Sequence, residues 1–435
     1  MSKIVTVAVA GAGGRGRNSY GNLILKMQDK IKVVAVADLI REKVDLMAKE
    51  HSIPADMCFD SAEAMLQKDR LADYMFICTQ DRDHYGHAMA ALEKGYHLLL
   101  EKPISPSLSE CKEIAELANK KNLNVIVCHV LRYTPFYNTL KDVIDSGRIG
   151  KIMTVNAEEC VGYWHQAHSF VRGNWRNSNE TSPMILAKCC HDMDILLWLL
   201  GKKCLKVSSF GSLNHFNIQN APEGSAERCS NCAPDTKKDC PYDCEKLYLD
   251  GPRGVRNGYK GWPLNILCND PTEEKTLASL AEGPYGRCVY HCDNNVVDNQ
   301  VVNMLLEGNV TLNFTMSAFT SDIRRTLRIR GTHGEILGDM EGKTLRVTEF
   351  GKPTEIIDTS KTNPKASAGG TGAGHGGGDA GLLNSLVGLF NGEDVSKTIS
   401  SINDSIASHF LALAAEESRL NNGKVIDIDE WNARF

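Results

Sequence analysis

The stretch "IVTVAVAGAGGRG", residues 4–16, decides the fold. A short β-rich run breaks off into Gly11-x-Gly13-x-x-Gly16, and a helical stretch, "NSYGNLILKMQDK" (18–30), follows at once. The next apolar run, "KVVAVAD" (32–38), ends on Asp38. A glycine triplet alone is often only a turn. Between a strand and a helix, with an acid closing the following strand, it has the context of a dinucleotide-binding site. Glycine lets the backbone approach a pyrophosphate, and the helix N-terminus favours its charge. Gly11, Gly13, Gly14, Arg15 and Gly16 are therefore candidate cofactor contacts. Asp38 can accept from both ribose hydroxyls and would repel a 2′-phosphate, so NAD is favoured over NADP. Arg15 and Arg41 stand near enough in the sequence to soften that preference.

Strands and helices go on alternating through "ADYMFICT" (72–79), "HYGHAMAALEKG" (84–95), "YHLLLEKP" (96–103), "SECKEIAELANKKN" (109–122) and "LNVIVCHV" (123–130). This is the pattern of an α/β doubly wound sheet, whose ligands bind beyond the carboxyl ends of the strands. Thr79, Glu101, Lys102 and His129 fall at those ends. Lys102 sits where a nicotinamide ring and a substrate would meet. The following Pro103 holds its backbone extended and permits a cis bond. The competing reading of Lys102 is a solvated lysine after a strand.

The chain has 435 residues, too many for one core, so two domains are expected. They are read as a dinucleotide-binding domain over 1–130 and a substrate-binding domain over 131–435, with a Cys-rich insertion at about 220–250. The net charge of −5, without a long basic run, argues against nucleic acid or an anionic membrane as partner. The apolar start is too short to span a bilayer and runs into the glycine turn, so it reads as a first strand rather than a signal peptide. Fifteen cysteines, an odd count, include Cys78 and Cys128 inside strand-like runs. Free thiols of this kind fit a reducing cytoplasm better than a disulfide framework.

With "GAGGRG", the segments "TQDRDHYGHAMAALEKGYHLLLEKP" (79–103) and "CHVLRYTPFYNTLKDVIDSGRIGKI" (128–152) resemble the Gfo/Idh/MocA oxidoreductase family over about residues 4–155. The resemblance implies a Rossmann domain joined to a C-terminal α/β domain. The latter has a large, open, mostly antiparallel sheet whose face covers the nicotinamide. It also implies NAD(P)-dependent oxidation or reduction of a carbinol in a sugar or cyclitol. Lys102 becomes the lysine at the reacting centre, and Thr79, His84 and Glu101 join the cofactor contacts. By the same analogy the protein is expected as a homodimer or homotetramer.

In "SPMILAKCCHDMDILLWLLG" (182–201), apolar residues recur at three- and four-residue intervals and predict one helix. Lys188, His191 and Asp194 would share a face of it. Members of the family carry an Asp four residues before this histidine, as its orienting partner. Here that position is Ala187, which puts an Asp–His relay in doubt. Lys102, His191 and Lys188 are the catalytic candidates. The competing reading of His191 is a core histidine satisfied by Asp194. Tyr163, His165, His168, Arg172 and Trp175 mix aromatic faces with polar donors, as sugar sites do. With His129, Arg132, Tyr133 and Asp194 they form the expected substrate set.

"RCSNCAPDTKKDCPYDC" (228–244) spaces Cys229, Cys232, Cys240 and Cys244 as C-x2-C-x7-C-x3-C, which suits tetrahedral zinc. Cys288, His291 and Cys292 could replace one ligand. Free thiols and an iron–sulfur cluster are the alternatives. Further on, "NQVVNMLLEGNVTLNFTMSAF" (299–319) and "RRTLRIRGTHGEILGDMEGKTLRVTEFG" (324–351) alternate as antiparallel strands. "HGGGDAGLL" (375–383) leads into a helix with Asp379 as N-cap. By the resemblance, His375 closes over the sugar.

The expected function is NAD-dependent hydride transfer to or from a sugar carbinol. One alternative is an NAD-dependent glycosidase working by transient oxidation, elimination, water addition and re-reduction. The other is a non-catalytic NAD-binding sensor.

Overall fold

The computed structural model describes residues 3–362 and 375–435. The glycine-rich stretch 363–374 lies outside them. Six strands form the first sheet: β1 (Val5–Ala10), β2 (Ile31–Ala37), β3 (Cys58–Phe59), β4 (Tyr74–Ile77), β5 (His97–Leu100) and β6 (Val125–Val127). They pair in parallel in the order β3-β2-β1-β4-β5-β6. Their residues are apolar on both faces because helices cover both sides, as a parallel sheet requires. The order reverses between β1 and β4, and that switch point opens the crevice where such sheets take ligands.

The first helix differs from its sequence expectation. It starts within the glycine turn, as a π-wound segment Gly14–Gly21 continued by Asn22–Ile24. It ends before residue 30 because Lys30 and Ile31 both donate to the Met27 carbonyl (2.8 and 3.0 Å), turning the chain into β2.

The second sheet has nine strands: β7 (Ile152–Cys160), β8 (Cys204–Ser212), β9 (Asn299–Leu306), β10 (Val310–Ser317), β11 (Arg324–Gly331), β12 (Gly334–Asp339), β13 (Thr344–Glu349), β14 (Glu355–Asp358) and β15 (Ile426–Asp427). Their order is β14-β13-β12-β11-β7-β10-β9-β8-β15, and every pairing is antiparallel except β7 with β10. Alternate residues of β9 and β10, including Val302, Met304, Leu312 and Phe314, face a core shared with Ile195, Leu196 and Leu199. The fold is thus a parallel Rossmann sheet followed by a mixed, mostly antiparallel sheet.

Near its end the chain returns to the first sheet. Leu382, Leu383 and Leu386 of the helix Gly378–Phe390 share a core with Val9, Tyr20 and Phe76. Each such leucine contributes roughly 1.5–3 kcal/mol by its burial. The backbone N–H of Val127 then donates to the Ser400 carbonyl (2.8 Å). This return carries His375 and Asp379 to the carboxyl end of the first sheet. No helix among the described residues is long and apolar enough to cross a membrane.

The expected single helix over 182–201 is two: Met184–Ala187 and Cys190–Leu200. The break at Lys188 and Cys189 removes Lys188 from the face of His191. It also frees the Ala187 carbonyl from the helical ladder.

Candidate active site

The glycine turn is built for close approach. Gly11 has φ +94°, and a Cβ there would lie 2.4 Å from the Cys78 carbonyl oxygen. A Cβ on Gly16 would lie 2.0 Å from the Gly11 carbonyl oxygen. At Gly13 nothing comes within 4 Å, which leaves open the side a pyrophosphate would take. The Asp38 carboxylate at the end of β2 accepts from the N–H of Ala12 (2.8 Å) and of Ile40 (2.9 Å), so its direction is fixed. These residues fit a dinucleotide. Both nearby arginines already have carboxylate partners. Arg41 pairs with Asp45 and Asp60; Arg15 pairs with Glu101 and Asp379.

Three expected cofactor residues are spent inside the protein. The His84 ring is wedged between the Pro103 carbonyl (2.7 Å) and the Thr79 carbonyl (3.2 Å). It braces the end of β4 against the Lys102–Pro103 turn, whose peptide bond is cis. The Thr79 hydroxyl bonds His87 Nδ1 (3.1 Å). The Glu101 carboxylate accepts from Arg15 Nε (2.6 Å) and the Tyr20 hydroxyl (2.7 Å).

Lys102 stands at the carboxyl end of β5 and points across the crevice. Its Nζ donates to the Ala187 carbonyl (3.0 Å) and lies 5.6 Å from the centroid of the Trp175 ring. Trp175 is held in turn by Asp81, which accepts from the indole N–H (3.1 Å) and from the Ser182 hydroxyl (2.8 Å). His191 is buried beside them, and its Nδ1 has no partner. Burial first, and then the charges of Lys102, His375 and His129, push its pKa well below the usual imidazole value. It is therefore neutral at neutral pH. The His375 ring lies 5.8 Å from that of His191.

His375 belongs to a chain of charges. Its Nδ1 is 3.3 Å from Oδ2 of Asp379. Asp379 is gripped by both terminal nitrogens of Arg15 (2.7 and 3.2 Å), and Arg15 Nε reaches Glu101. Asp379 is not the N-cap expected of it: Gly377 precedes the helix, and the carboxylate is engaged by Arg15 and His375. Burial pushes its carboxyl upward, but Arg15 and His375 outweigh this and hold it far below the usual range. The His375 side chain is 37% exposed, so water on its open side screens these effects.

Several substrate candidates have partners within the protein. Asp194 does not face His191. It forms a bidentate pair with Arg132 (2.6 and 2.7 Å), and both are buried. Removing either partner would cost about 3–5 kcal/mol, because a lone charge would stay buried. The Tyr133 hydroxyl bonds Ser400 Oγ (2.8 Å). His129 is fully buried, 3.8 Å from Asp194, and its nitrogens have no hydrogen-bond partner. Lys188 is ion-paired with buried Glu159 (3.1 Å), which Arg325 also approaches (2.7 Å). Arg172 is buried and donates to the carbonyls of Arg287 and Tyr242 (both 2.7 Å) and to Cys229 Sγ (3.6 Å). It anchors the insertion rather than a sugar. Tyr163 packs near Tyr242, ring centroids 6.2 Å apart.

His165 and His168 form a wall with a residue that carries no local sequence signal. Trp262, beyond the Cys-rich insertion, stands 4.9 Å from the His165 ring and 5.5 Å from the His168 ring. His168 also stacks on Tyr285 (4.6 Å) and bonds the Tyr248 hydroxyl (2.8 Å). The segment after the insertion reaches the glycine turn: Ile266 Cδ1 lies 3.4 Å from where a Cβ of Gly14 would be. Asp81, Glu159 and the role of Asp379 were also missed.

Three of the four expected cysteines, Cys229, Cys232 and Cys240, line one cavity with Cys288. Cys229 and Cys244 come together with Asp243, all ligand atoms within 4.8 Å of one another and all three buried. Cys232 and Cys240 are not in that group. They line a cavity shared with Cys229, Asp243, Cys288 and Arg172. The helix Pro234–Asp239 lies between them in the chain. A hydrogen bond from the Cys244 thiol, aided by Arg172 against the effect of burial, lowers the Cys229 thiol to about 6.

Residues 5–129 match the family described as "Oxidoreductase family, NAD-binding Rossmann fold". Residues 141–430 match "Oxidoreductase family, C-terminal alpha/beta domain". A Bacillus subtilis (strain 168) protein named as an oxidoreductase, YteT, is 24% identical over 344 residues, 77% of this chain and 76% of that protein. An inositol 2-dehydrogenase of Pseudomonas savastanoi pv. phaseolicola is 29% identical over 178 residues, 40% of this chain and 49% of the enzyme. An oxidoreductase from Agrobacterium radiobacter, solved with NAD+, L-tartaric acid and magnesium, superposes with a TM-score of 0.68. That alignment covers 99% of this chain and 100% of the other at 16% identity, a likeness of fold.

Proposed function

This chain belongs to the Gfo/Idh/MocA oxidoreductase family, whose first domain binds NAD, and from that premise we propose that it transfers a hydride to or from a carbinol carbon of a sugar or sugar derivative. The observation that carries the reading is Lys102: an ammonium at the end of β5, aimed over Trp175 at neutral His191, beside a turn shaped for a dinucleotide. The bound nicotinamide would supply or accept the hydride. The rest falls to this chain's side chains. Lys102 uses one N–H on the Ala187 carbonyl, which leaves two for a substrate hydroxyl. That hydroxyl, held by a cation, loses its proton more readily. His191, with an unpartnered ring nitrogen, accepts from a neighbouring hydroxyl or takes the proton. His375, partly exposed, passes a proton to solvent. The Trp175 face offers a flat apolar surface to a sugar ring. NAD is favoured over NADP because Asp38 is fixed at the ribose end and both arginines are neutralised. Relatives named as inositol 2-dehydrogenases support a polyhydroxylated ring as substrate.

One observation favours a second reading, the glycosidase. Ala187 leaves His191 without an orienting carboxylate, while His375 has one in Asp379. Two histidines held so differently suit two proton transfers, which elimination requires. A panel of sugars, cyclitols and glycosides incubated with NAD-loaded protein separates the two. Net reduced cofactor supports a dehydrogenase; cleaved aglycone without it supports the glycosidase. Neither, with NAD bound, would leave only the sensor.

We also infer a structural zinc in the insertion, with Cys229, Cys244 and Asp243 as three of its ligands. Arg172 supports it: a buried guanidinium on which no carboxylate pairs among the described residues. Three anionic ligands, one divalent cation and Arg172 leave no net charge buried. On the same reading the domains divide at 130/131, and reduced thiols fit a cytoplasmic protein.

A further inference from the structure

Arg15 sits between Gly14 and Gly16, within the turn whose backbone would hold the pyrophosphate, yet its side chain leaves the cofactor site. One guanidinium joins three distant segments. Its Nε reaches Glu101, whose Oε2 also accepts the Lys102 N–H (3.2 Å). Its terminal nitrogens take both oxygens of Asp379. Asp379 Oδ2 in turn meets Nδ1 of His375. The fork fixes the carboxylate in plane, as arginine does and lysine does not. An ionised carboxylate at Nδ1 places the proton there and leaves Nε2 as the acceptor. The turn cannot slide to absorb a displacement, because Gly16 is packed on the Gly11 carbonyl and Gly11 on Cys78.

We propose that Arg15 is a positioning residue that couples occupancy of the glycine turn to the orientation of His375, and so supplies through Asp379 the anchoring that Ala187 cannot give His191. The identity of the site rests on the hydride-transfer reading; the contacts do not. The charged and titratable groups facing His375 are Asp379, Arg15, Lys188 and His191. Burial disfavours the protonated ring most, Asp379 favours it, and Arg15 and Lys188 disfavour it.

The test uses the full chain with its histidine rings isotopically labelled. The His375 resonance is assigned with His375→Gln, and NAD itself is the probe. NAD should shift the His375 signal in the wild type. In Arg15→Gln and in Arg15→Lys, NAD should still bind, but the His375 response should be lost, because neither side chain forms the fork. The protonation midpoint of His375 should rise in Arg15→Gln, which removes a cation, and fall in Asp379→Asn, which removes the anion. These shifts test the ion-pair chain, and the lost His375 response to NAD is the readout a purely structural role would not move. Thermal unfolding checks that each variant is folded; Arg15→Lys and Asp379→Asn carry the test if Arg15→Gln is not. NAD binding with an unchanged His375 response in the folded Arg15 variants would overturn the proposal. So would midpoints that move together. Failure of the wild type to bind NAD would instead overturn the functional reading, and the two pH shifts would still decide the Arg15–Asp379–His375 linkage.

Discussion

Lys102 Nζ lies 3.0 Å from the carbonyl oxygen of Ala187, so a residue whose side chain offers no carboxylate contributes its backbone instead. The helix break at Lys188 frees that carbonyl, and the ammonium satisfies it. Lys102→Met removes the hydroxyl donor without touching the glycine turn. Carbinol turnover should fall by about 10²–10⁴-fold, while NAD affinity stays within a few-fold. Hydride transfer measured beside direct NAD binding checks this. Loss of binding to the same extent would mean that Lys102 holds the cofactor rather than the substrate.

Asp38 serves twice, capping the turn through Ala12 and Ile40 and facing the ribose end. Asp38→Ala should weaken NAD by about tenfold, a difference of about 1.4 kcal/mol. It should not create a preference for NADP, because Arg15 and Arg41 are each bound by two carboxylates. Binding titrations with both dinucleotides decide. A variant that prefers NADP would show that one arginine leaves its partners.

The first sheet was legible because local signals agree: β-branched runs, glycine at positions that tolerate no Cβ, and an acid closing β2. Lys102 was legible for the same reason, since strand ends set ligand positions in such sheets. What misled lay in tertiary pairing. Arg132 and Asp194 look like substrate ligands when read singly, and 62 residues of chain hide that they bind each other. Arg172 looks like a sugar donor until its carbonyl partners at 242 and 287 are seen. Periodicity ran the 182–201 helix straight through Lys188, because the apolar spacing continues across the break and leaves no local mark of it. Trp262 gave no signal for the opposite reason: nothing in its own stretch of chain says where that stretch folds back.

The cysteine insertion makes a separable prediction. If Cys229, Cys244 and Asp243 hold zinc, purified protein should contain about one zinc per chain. Cys244→Ser and Asp243→Asn should lower that content by more than half, and Cys240→Ser should not. Chelation should lower the melting temperature by about 5 °C or more, because the metal stabilises only the folded insertion. Elemental analysis and thermal unfolding supply the readouts. Zinc lost with Cys240→Ser but kept with Asp243→Asn would move the site to the cavity that Cys232 and Cys240 line.

His409 ties acid stability to the active site. It lies fully buried in the helix Ile402–Leu420, where its Nε2 accepts from the Ile104 N–H (2.8 Å) and its Nδ1 faces the Ser405 carbonyl (3.2 Å). Only the neutral ring fits, since a second ring N–H would point at that of Ile104. Burial, followed by His129, pushes its pKa down to about 3. The unfolded chain therefore binds one more proton here between about pH 6.5 and the folded value. Stability from this group is complete above about pH 6.5 and is lost progressively as the pH falls. His168, also pushed down to about 3 by burial and then by Arg172, acts in the same sense. His409→Gln keeps an acceptor for Ile104 but cannot be protonated. Its unfolding free energy should fall with decreasing pH about 1.4 kcal/mol per pH unit less steeply than the wild type's. Because Ile104 follows the Lys102–Pro103 turn, the same variant should extend carbinol turnover to lower pH. Chemical denaturation across pH 4–7 tests the first effect, and the acid limb of activity tests the second. Parallel stability profiles for the two proteins would show that His409 titrates normally despite its burial.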